Sequence, residues 1–240
     1  MARVAIVTGG TRGIGEAISV GLKNAGYNVA ANYCGNDDRA KEFSAKTGIP
    51  IYKWNVANFD ECLAGVAKVV SDLGPVDILI NNAGITRDAT MRKMTRSSWD
   101  EVIDTNIGGL FNMCKAVWDA MVDRGFGRVV NIGSINGQAG QYGQVNYSAA
   151  KSAIHGFTKA LSLEGSAKGI TVNTIAPGYI DTDMVAAVPP NALEKIVAKI
   201  PVGRLGKPEE VARGVLFLVT DDAGFVTGST LSINGGQHMY

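Results

Sequence analysis

Short apolar runs rich in β-branched residues recur along this chain, separated by longer stretches whose apolar residues return every three or four positions. The short runs Val4–Val7, Asn28–Asn32, Ile49–Trp54, Val76–Ile80, Arg128–Ile132, Thr171–Ile175 and Thr230–Ile233 predict buried strands. Between them, Ile14–Ala25, Asp60–Leu73, Trp99–Arg124, Val145–Lys168 and Pro208–Val219 predict helices, each long enough to carry the chain from one parallel strand to the next. Such alternation predicts an α/β fold, a doubly wound parallel sheet with helices on both faces. Residues 179–207 break the rhythm. They contain Pro189-Pro190, Pro201 and a short apolar helical pattern, and an insertion there, at the carboxyl edge of the sheet, predicts a substrate lid.

Composition adds mostly exclusions. The 240 residues show no second compositional regime, so one domain spanning 1–240 is expected. Twenty-three basic against 22 acidic residues give a net charge of +1, which offers no footprint for nucleic acid or an anionic membrane and favours small-molecule partners. The N-terminal run lacks the length and cleavage pattern of a signal peptide, and no apolar stretch approaches a membrane span, so a cytoplasmic protein is expected. Cys34, Cys62 and Cys114 are odd in number and widely spaced, and His155 and His238 lack ligand spacing. Neither a disulfide framework nor a metal site is expected.

Two motifs carry chemistry. The first is the turn Thr8-Gly-Gly-Thr-Arg-Gly-Ile-Gly15, which follows the first predicted strand and opens the first helix. Glycines there let backbone approach a pyrophosphate, and the helix N-terminus faces the anion. The second is Tyr147 with Lys151, whose four-residue spacing puts both on one helical face. A nearby ammonium favours the phenolate; a fall of ~3 from the phenol's usual pH ~10 corresponds to ~4 kcal/mol, a demand that this cation and a positively charged cofactor ring would meet together, and would give an acid/base matched to neutral pH. At the end of the second strand, Asn32-Tyr-Cys-Gly-Asn36 supplies no carboxylate for a ribose 2′-hydroxyl, whereas Arg12 and Arg39 offer charge for a 2′-phosphate. NADPH is therefore expected over NADH, with Asp37 and Asp38 the residues that would reverse the preference.

Together these residues resemble the short-chain dehydrogenase/reductase family over essentially the whole chain. The matching motifs, in the family's order, are Thr8-Gly9…Gly13-Ile14-Gly15, Asn81-Asn82-Ala83-Gly84, Asn106, Ser134, Tyr147 with Lys151, and Pro177-Gly178 followed by Thr182. The resemblance implies a Rossmann-like seven-stranded parallel sheet, assembly as a homotetramer through long helices and the last strand, and a catalytic tetrad of Asn106, Ser134, Tyr147 and Lys151. Its cofactor site would comprise the glycine turn with Arg12 and Arg39, Asn55 and Val56, Asn82 to Gly84, Tyr147, Lys151, Pro177, Gly178, Ile180 and Thr182. Asn55 departs from the family, which usually has an aspartate near the adenine.

Each tetrad member also has a job in physical terms. Negative charge builds on a carbonyl oxygen as hydride arrives at its carbon; Tyr147 would protonate that oxygen and Ser134 would hold it. Lys151 would lower the tyrosine pKa and hold the ribose hydroxyls, while Asn106 would open its long helix and bind a water that relays protons to Lys151. The blocks Asn81–Asp88, Met91–Thr95 and Trp99–Asn106 are similar to 3-oxoacyl thioester reductases. Asn136–Gln144 and Asn234–Met239 are similar to those acting on acetoacetyl-CoA. Asp88, Gln141, Tyr142, Gln144 and Tyr179 would then surround the acyl group, the amides orienting its oxygens and the two rings limiting chain length. The product implied is (R)-3-hydroxybutyryl-CoA, the monomer for polyhydroxybutyrate. A 3-oxoacyl carrier-protein reductase stays open as the alternative, with Arg124, Arg128 and Lys168 available to dock an acidic carrier. A nucleotide-binding regulator would lack a catalytic residue and none is missing, and the glutamine-rich loop argues against a steroid.

Overall fold

A computed structural model describes residues 2–186 and 190–239. Its sheet has seven strands in the order β3-β2-β1-β4-β5-β6-β7, all parallel. These are β1 Val4–Val7, β2 Asn28–Tyr33, β3 Ile51–Lys53, β4 Val76–Asn81, β5 Gly127–Ile132, β6 Ile170–Pro177 and β7 Thr230–Ile233. The helices are α1 Gly13–Asn24, α2 Asp37–Thr47, α3 Phe59–Leu73, α4 Arg96–Ile103, α5 Gly109–Arg124, α6 Ile135–Ala139, α7 Val145–Ser166, α8 Asp183–Ala186, α9 Pro190–Val197 and α10 Pro208–Val219. Strand order reverses between β1 and β4, and a crevice therefore opens beyond their carboxyl ends, where Thr8 and Asn81 stand.

Because strand side chains alternate, each strand feeds two cores. Val4 and Ile6 of β1 pack with α3 and α5 through Val66, Met113 and Val117. Ala5 and Val7 face the other way, toward Ile18 and Leu22 of α1 and Val211 and Val215 of α10. Among the described residues no helix is long and apolar enough to cross a membrane.

Three departures from the expected elements have local causes. α2 was not expected, because its sequence is polar all round and buries only Ala40 and Phe43 among its side chains. It is held by its ends: the Asn36 side chain accepts from the Arg39 N–H, and Gly48 closes it with φ +65°. β3 is shorter than Ile49–Trp54, since Ile49 is drawn to the end of α2, accepting from the Ser44 hydroxyl and donating to Thr47 Oγ1. The long helix expected over Trp99–Arg124 starts earlier, capped by Thr95, and widens into a π-turn over Asp104–Gly108. Gly109 then lies so close to Val56 that a Cβ would stand 2.8 Å from its Cγ2.

The ends of the expected lid are pinned together. Gly206 N donates to Tyr179 O and Asp181 N to Gly206 O, so the segment bearing α8 and α9 leaves and rejoins at one place. Residues 187–189 of that segment lie outside the described residues.

Candidate active site

The glycine turn is built from backbone contacts that only small residues permit. Gly9 and Gly13 have φ of +60° and +53°, and a Cβ on Gly15 would stand 2.1 Å from Gly9 O and 2.6 Å from Asn82 Nδ2. Buried Thr8 ties the turn to β4: its Oγ1 accepts from the Asn82 and Ala83 N–H groups at 2.9 and 3.0 Å. Asn82 Nδ2 returns bonds to the carbonyls of Thr8 and Gly9. The same face receives Asn32, which accepts from Gly9 N and anchors itself on Trp54 O.

At the head of α1 no side chain caps Arg12, in contrast to Asn36, Asn58, Thr95 and Ser134 on other helices. Its first-turn N–H groups are left for a ligand, and the glycine cradle fits the diphosphate of a dinucleotide. Thr182 completes the rim, 3.5 Å from where a Cβ on Gly13 would lie. Ile14 lies beside it, partly buried.

Several expected cofactor residues are otherwise engaged. Arg39 is bound by Asp183 at the start of α8, so its charge is not free. Arg12 is exposed and forms no ion pair among the described residues. Asp37 is held by Lys53 at 2.8 Å, which keeps its carboxyl below the usual range, while Asp38 is exposed. Asn55 is exposed and its side chain accepts from Ala57 N in the turn before α3, whereas Val56 is core. Pro177 ends β6, Gly178 passes against Asn234, and Ile180 is buried.

The tetrad residues converge on the crevice from three elements. Ser134 caps α6 at the end of β5, its Oγ accepting from Asn136 N at 3.1 Å. Tyr147 and Lys151 come from α7, with Lys151 Nζ 5.7 Å from the Tyr147 ring centre. Lys151 is buried and donates to Ile132 O at 2.7 Å. Gly137 packs so tightly on the Lys151 backbone that a Cβ would meet it at 2.6 Å, fixing α6 against α7. Asn106, in the π-turn, clasps Ile85: Oδ1 accepts from its N–H at 2.8 Å and Nδ2 donates to its carbonyl at 3.0 Å. Beside Gly84, Asn106 and Lys151 approach each other across a small cavity.

From the protein's own groups alone, the tyrosine is not pulled toward neutrality. Burial pushes the Tyr147 phenol up, more than the neighbouring Ser134 hydroxyl pulls it down, with Asp88 and Tyr179 adding to the rise. Burial also pushes the Lys151 ammonium down, to about 8. Loss of water is the largest cause of both shifts.

Asp88, Gln144 and Tyr179 meet around a residue that the sequence reading had not singled out, Asn136. Its Nδ2 donates to Gln144 Oε1 at 2.9 Å, Gln144 Nε2 donates to Asp88 Oδ2 at 2.7 Å, and the Tyr179 hydroxyl bonds Asn136. Gln141 and Tyr142 are not brought into this group: both are exposed, Tyr142 at 88%. Asn146 was also missed. It is fully buried, and it locks α7 to the loop after β4 by donating to the Arg87 and Ser98 carbonyls. A polar residue directly before Tyr147, at the head of a buried helix, was the available signal.

The basic residues expected to dock a carrier are misplaced for that task. Arg128 is buried, bonded to the carbonyls of Thr220 and Gly169, and Arg124 bonds Val76 O. Together with Lys168 they lie at the amino edge of the sheet, away from this chain's own crevice.

The family model described as enoyl-(acyl carrier protein) reductase matches residues 9–238. The acetoacetyl-CoA reductase of Rhizobium meliloti is 66% identical over the full length of both chains, and that of Shinella zoogloeoides 64% over 99% of each. This chain belongs to the short-chain dehydrogenase/reductase family. A 3-oxoacyl-[acyl-carrier-protein] reductase of Staphylococcus aureus is more distant, 41% identical over 100% of this chain and 99% of its own. As a short-chain dehydrogenase/reductase, the protein is an oxidoreductase that uses a nicotinamide cofactor.

Proposed function

We propose that the chain reduces acetoacetyl-CoA to (R)-3-hydroxybutyryl-CoA with NADPH, supplying monomer for polyhydroxybutyrate, as one cytoplasmic reductase domain assembled into a homotetramer. The observation that carries this reading is the convergence of Ser134, Tyr147 and Lys151 beside the glycine cradle. Identity along the whole chain to proteins named acetoacetyl-CoA reductase supports the substrate.

The cofactor, when bound, supplies a hydride to the carbonyl carbon. Glycines 9, 13 and 15 and the head of α1 would hold its diphosphate, Arg12 and Arg39 its 2′-phosphate, and Lys151 its ribose. Arg39 would exchange Asp183 for that phosphate. Tyr147 gives its proton to the carbonyl oxygen as the hydride arrives, so one hydride and one proton convert ketone to alcohol. The raised phenol pKa keeps that proton in place at neutral pH, the state reduction requires. Ser134 donates to the same oxygen and fixes its position. Asn106 holds the backbone at Ile85 and, with Lys151, lines the water-sized cavity that would feed protons inward.

Exposed Arg92 and Lys93, on the loop joined to Gln144 through Ala89, form no ion pair among the described residues and suit the phosphates of coenzyme A. For assembly, Phe111 on α5 and Leu163 on α7 are exposed, the latter at 82%, as are Phe217 on α10 and Leu231 on the edge strand β7. The test is NADPH oxidation on adding acetoacetyl-CoA, with chiral analysis of the product. Formation of the (R) alcohol supports the reading, and no NADPH oxidation or an (S) product overturns it.

A further inference from the structure

The cavity beside Lys151 is lined by Thr8, Asn81, Asn106, Gly109, Leu110 and Ile132 among others. Space for water centres there is about 10 Å³, room for a single molecule. A lone water needs two or more polar partners to reside in such a place. Lys151 is one: it has three donor hydrogens, one of them given to Ile132 O. Thr8 and the Asn106 side chain are already committed, Thr8 to β4 and Asn106 to Ile85.

Asn81 is different. Among the lining residues its Oδ1 is the one buried side-chain oxygen with no partner among the described residues. The rest of that amide is held firmly. Nδ2 donates to Asn131 Oδ1 at 2.9 Å and to Cys114 Sγ at 3.4 Å. Asn131 Nδ2 in turn donates to Thr158 Oγ1 at 2.9 Å, and Thr158 bonds Thr174 at 2.7 Å. This chain crosses β4, β5, α7 and β6 and sets which way each amide faces. Turning Asn81 over would put two carbonyl oxygens, its own and that of Asn131, against each other. An unpartnered acceptor is therefore locked in orientation on a residue that lines a water-sized cavity, and the Lys151 ammonium belongs to the same lining.

We propose that Asn81 is a positioning residue for proton supply: its Oδ1 accepts a hydrogen bond from one water in this cavity and holds that water against Lys151. The water then accepts from Lys151 Nζ and donates to Asn81, so it supports the charged ammonium. Tyr147 is the titratable group that faces Lys151 from α7, and no carboxylate contributes to the shift at Lys151. The inference rests on the reductase reading above, with Tyr147 as proton donor.

The test is Asn81→Ala, followed by the pH dependence of kcat and by NADPH binding. We expect kcat to fall about tenfold, the value of one buried hydrogen bond to a charged group. The alkaline limb should move to lower pH, because Lys151 loses support for its charge, while NADPH Kd stays as in the parent. Asn81→Asp keeps an oxygen toward the cavity but loses the amide donor to Asn131. If the water contact matters, the aspartate variant outperforms the alanine variant; if Asn81 serves only the sheet network, it performs no better. An unchanged pH profile in Asn81→Ala, or an aspartate variant no better than the alanine one, overturns the proposal. A crystal structure of the unaltered protein decides independently of variant folding. An ordered water within hydrogen-bond distance of both Asn81 Oδ1 and Lys151 Nζ supports the proposal, and its absence where other internal waters are resolved overturns it. If the unaltered protein fails to reduce acetoacetyl-CoA, the reductase reading fails while this crystallographic test still stands.

Discussion

Replacing Lys151 by Met should abolish turnover and yet make the cofactor-free protein more stable. The Lys151 ammonium is 4% exposed and pushed from 10.5 to about 8 by burial alone. At about 1.4 kcal/mol for each pH decade, holding that charge inside costs the folded state about 3.5 kcal/mol. The sign follows from which state binds the proton more tightly. Below pH 8 both folded and unfolded chains carry it, and the cost is fully present. Between about 8 and 10.5 only the unfolded chain carries it, so stability rises with pH across that window and the cost has vanished above it. Methionine removes the charge but also the bond from the ammonium to Ile132 O, worth about 1.5 kcal/mol. The net expectation at pH 7 is a gain of about 2 kcal/mol, or about 4–8 °C in Tm for a chain of this size. Urea and thermal unfolding of both proteins at pH 7 and pH 10 measure it, at matched concentration and without NADPH. The gap should be large at pH 7 and much smaller at pH 10. A Lys151→Met protein less stable than its parent at pH 7, or a gap that does not change with pH, would refute the reasoning.

Four further outcomes are expected. Tyr147→Phe should lose about 10²- to 10⁴-fold in kcat with NADPH Kd unchanged, since only the proton donor is removed; stopped-flow turnover with fluorescence titration checks both. Asp183→Asn should lower KM for NADPH by a factor of a few, because it frees Arg39 from a surface pair of small strength. Arg39→Ala should raise that KM about tenfold or more while leaving NADH little affected. Gly15→Ala forces a Cβ to within 2.1 Å of Gly9 O, so it should cost about 2–3 kcal/mol of stability and abolish cofactor binding, as read by calorimetry.

What the sequence made legible was what rests on local pattern. The inner strands stand out because parallel strands buried on both faces read as apolar runs. Thr8–Gly15 and Tyr147 with Lys151 stand out because their spacing encodes geometry directly. Helix α2 did not, since Asn36 and Gly48 hold it by its ends and its composition carries little apolar period. Long-range pairings stayed hidden for the same reason. Nothing local in Arg39 or Asp183 announces that they meet, 144 positions apart, or that Arg128 turns inward to four carbonyls. The opposing pKa shifts at Tyr147 and Lys151 could not be read from the sequence, because spacing reveals the neighbouring charge but not how much water both groups have lost. Asn136 and Asn81 went unassigned because a buried amide's role depends on what its two ends touch.

The crevice is proposed to reduce a 3-oxoacyl group carried by coenzyme A. The most direct measurement is kcat/KM for NADPH oxidation with acetoacetyl-CoA and, separately, with acetoacetyl carrier protein at matched concentrations. A clear preference for the coenzyme A thioester is the expected result and directs attention to Arg92 and Lys93. Preference for the carrier protein would contradict the substrate assignment, and activity with neither would contradict the thioester reading as a whole.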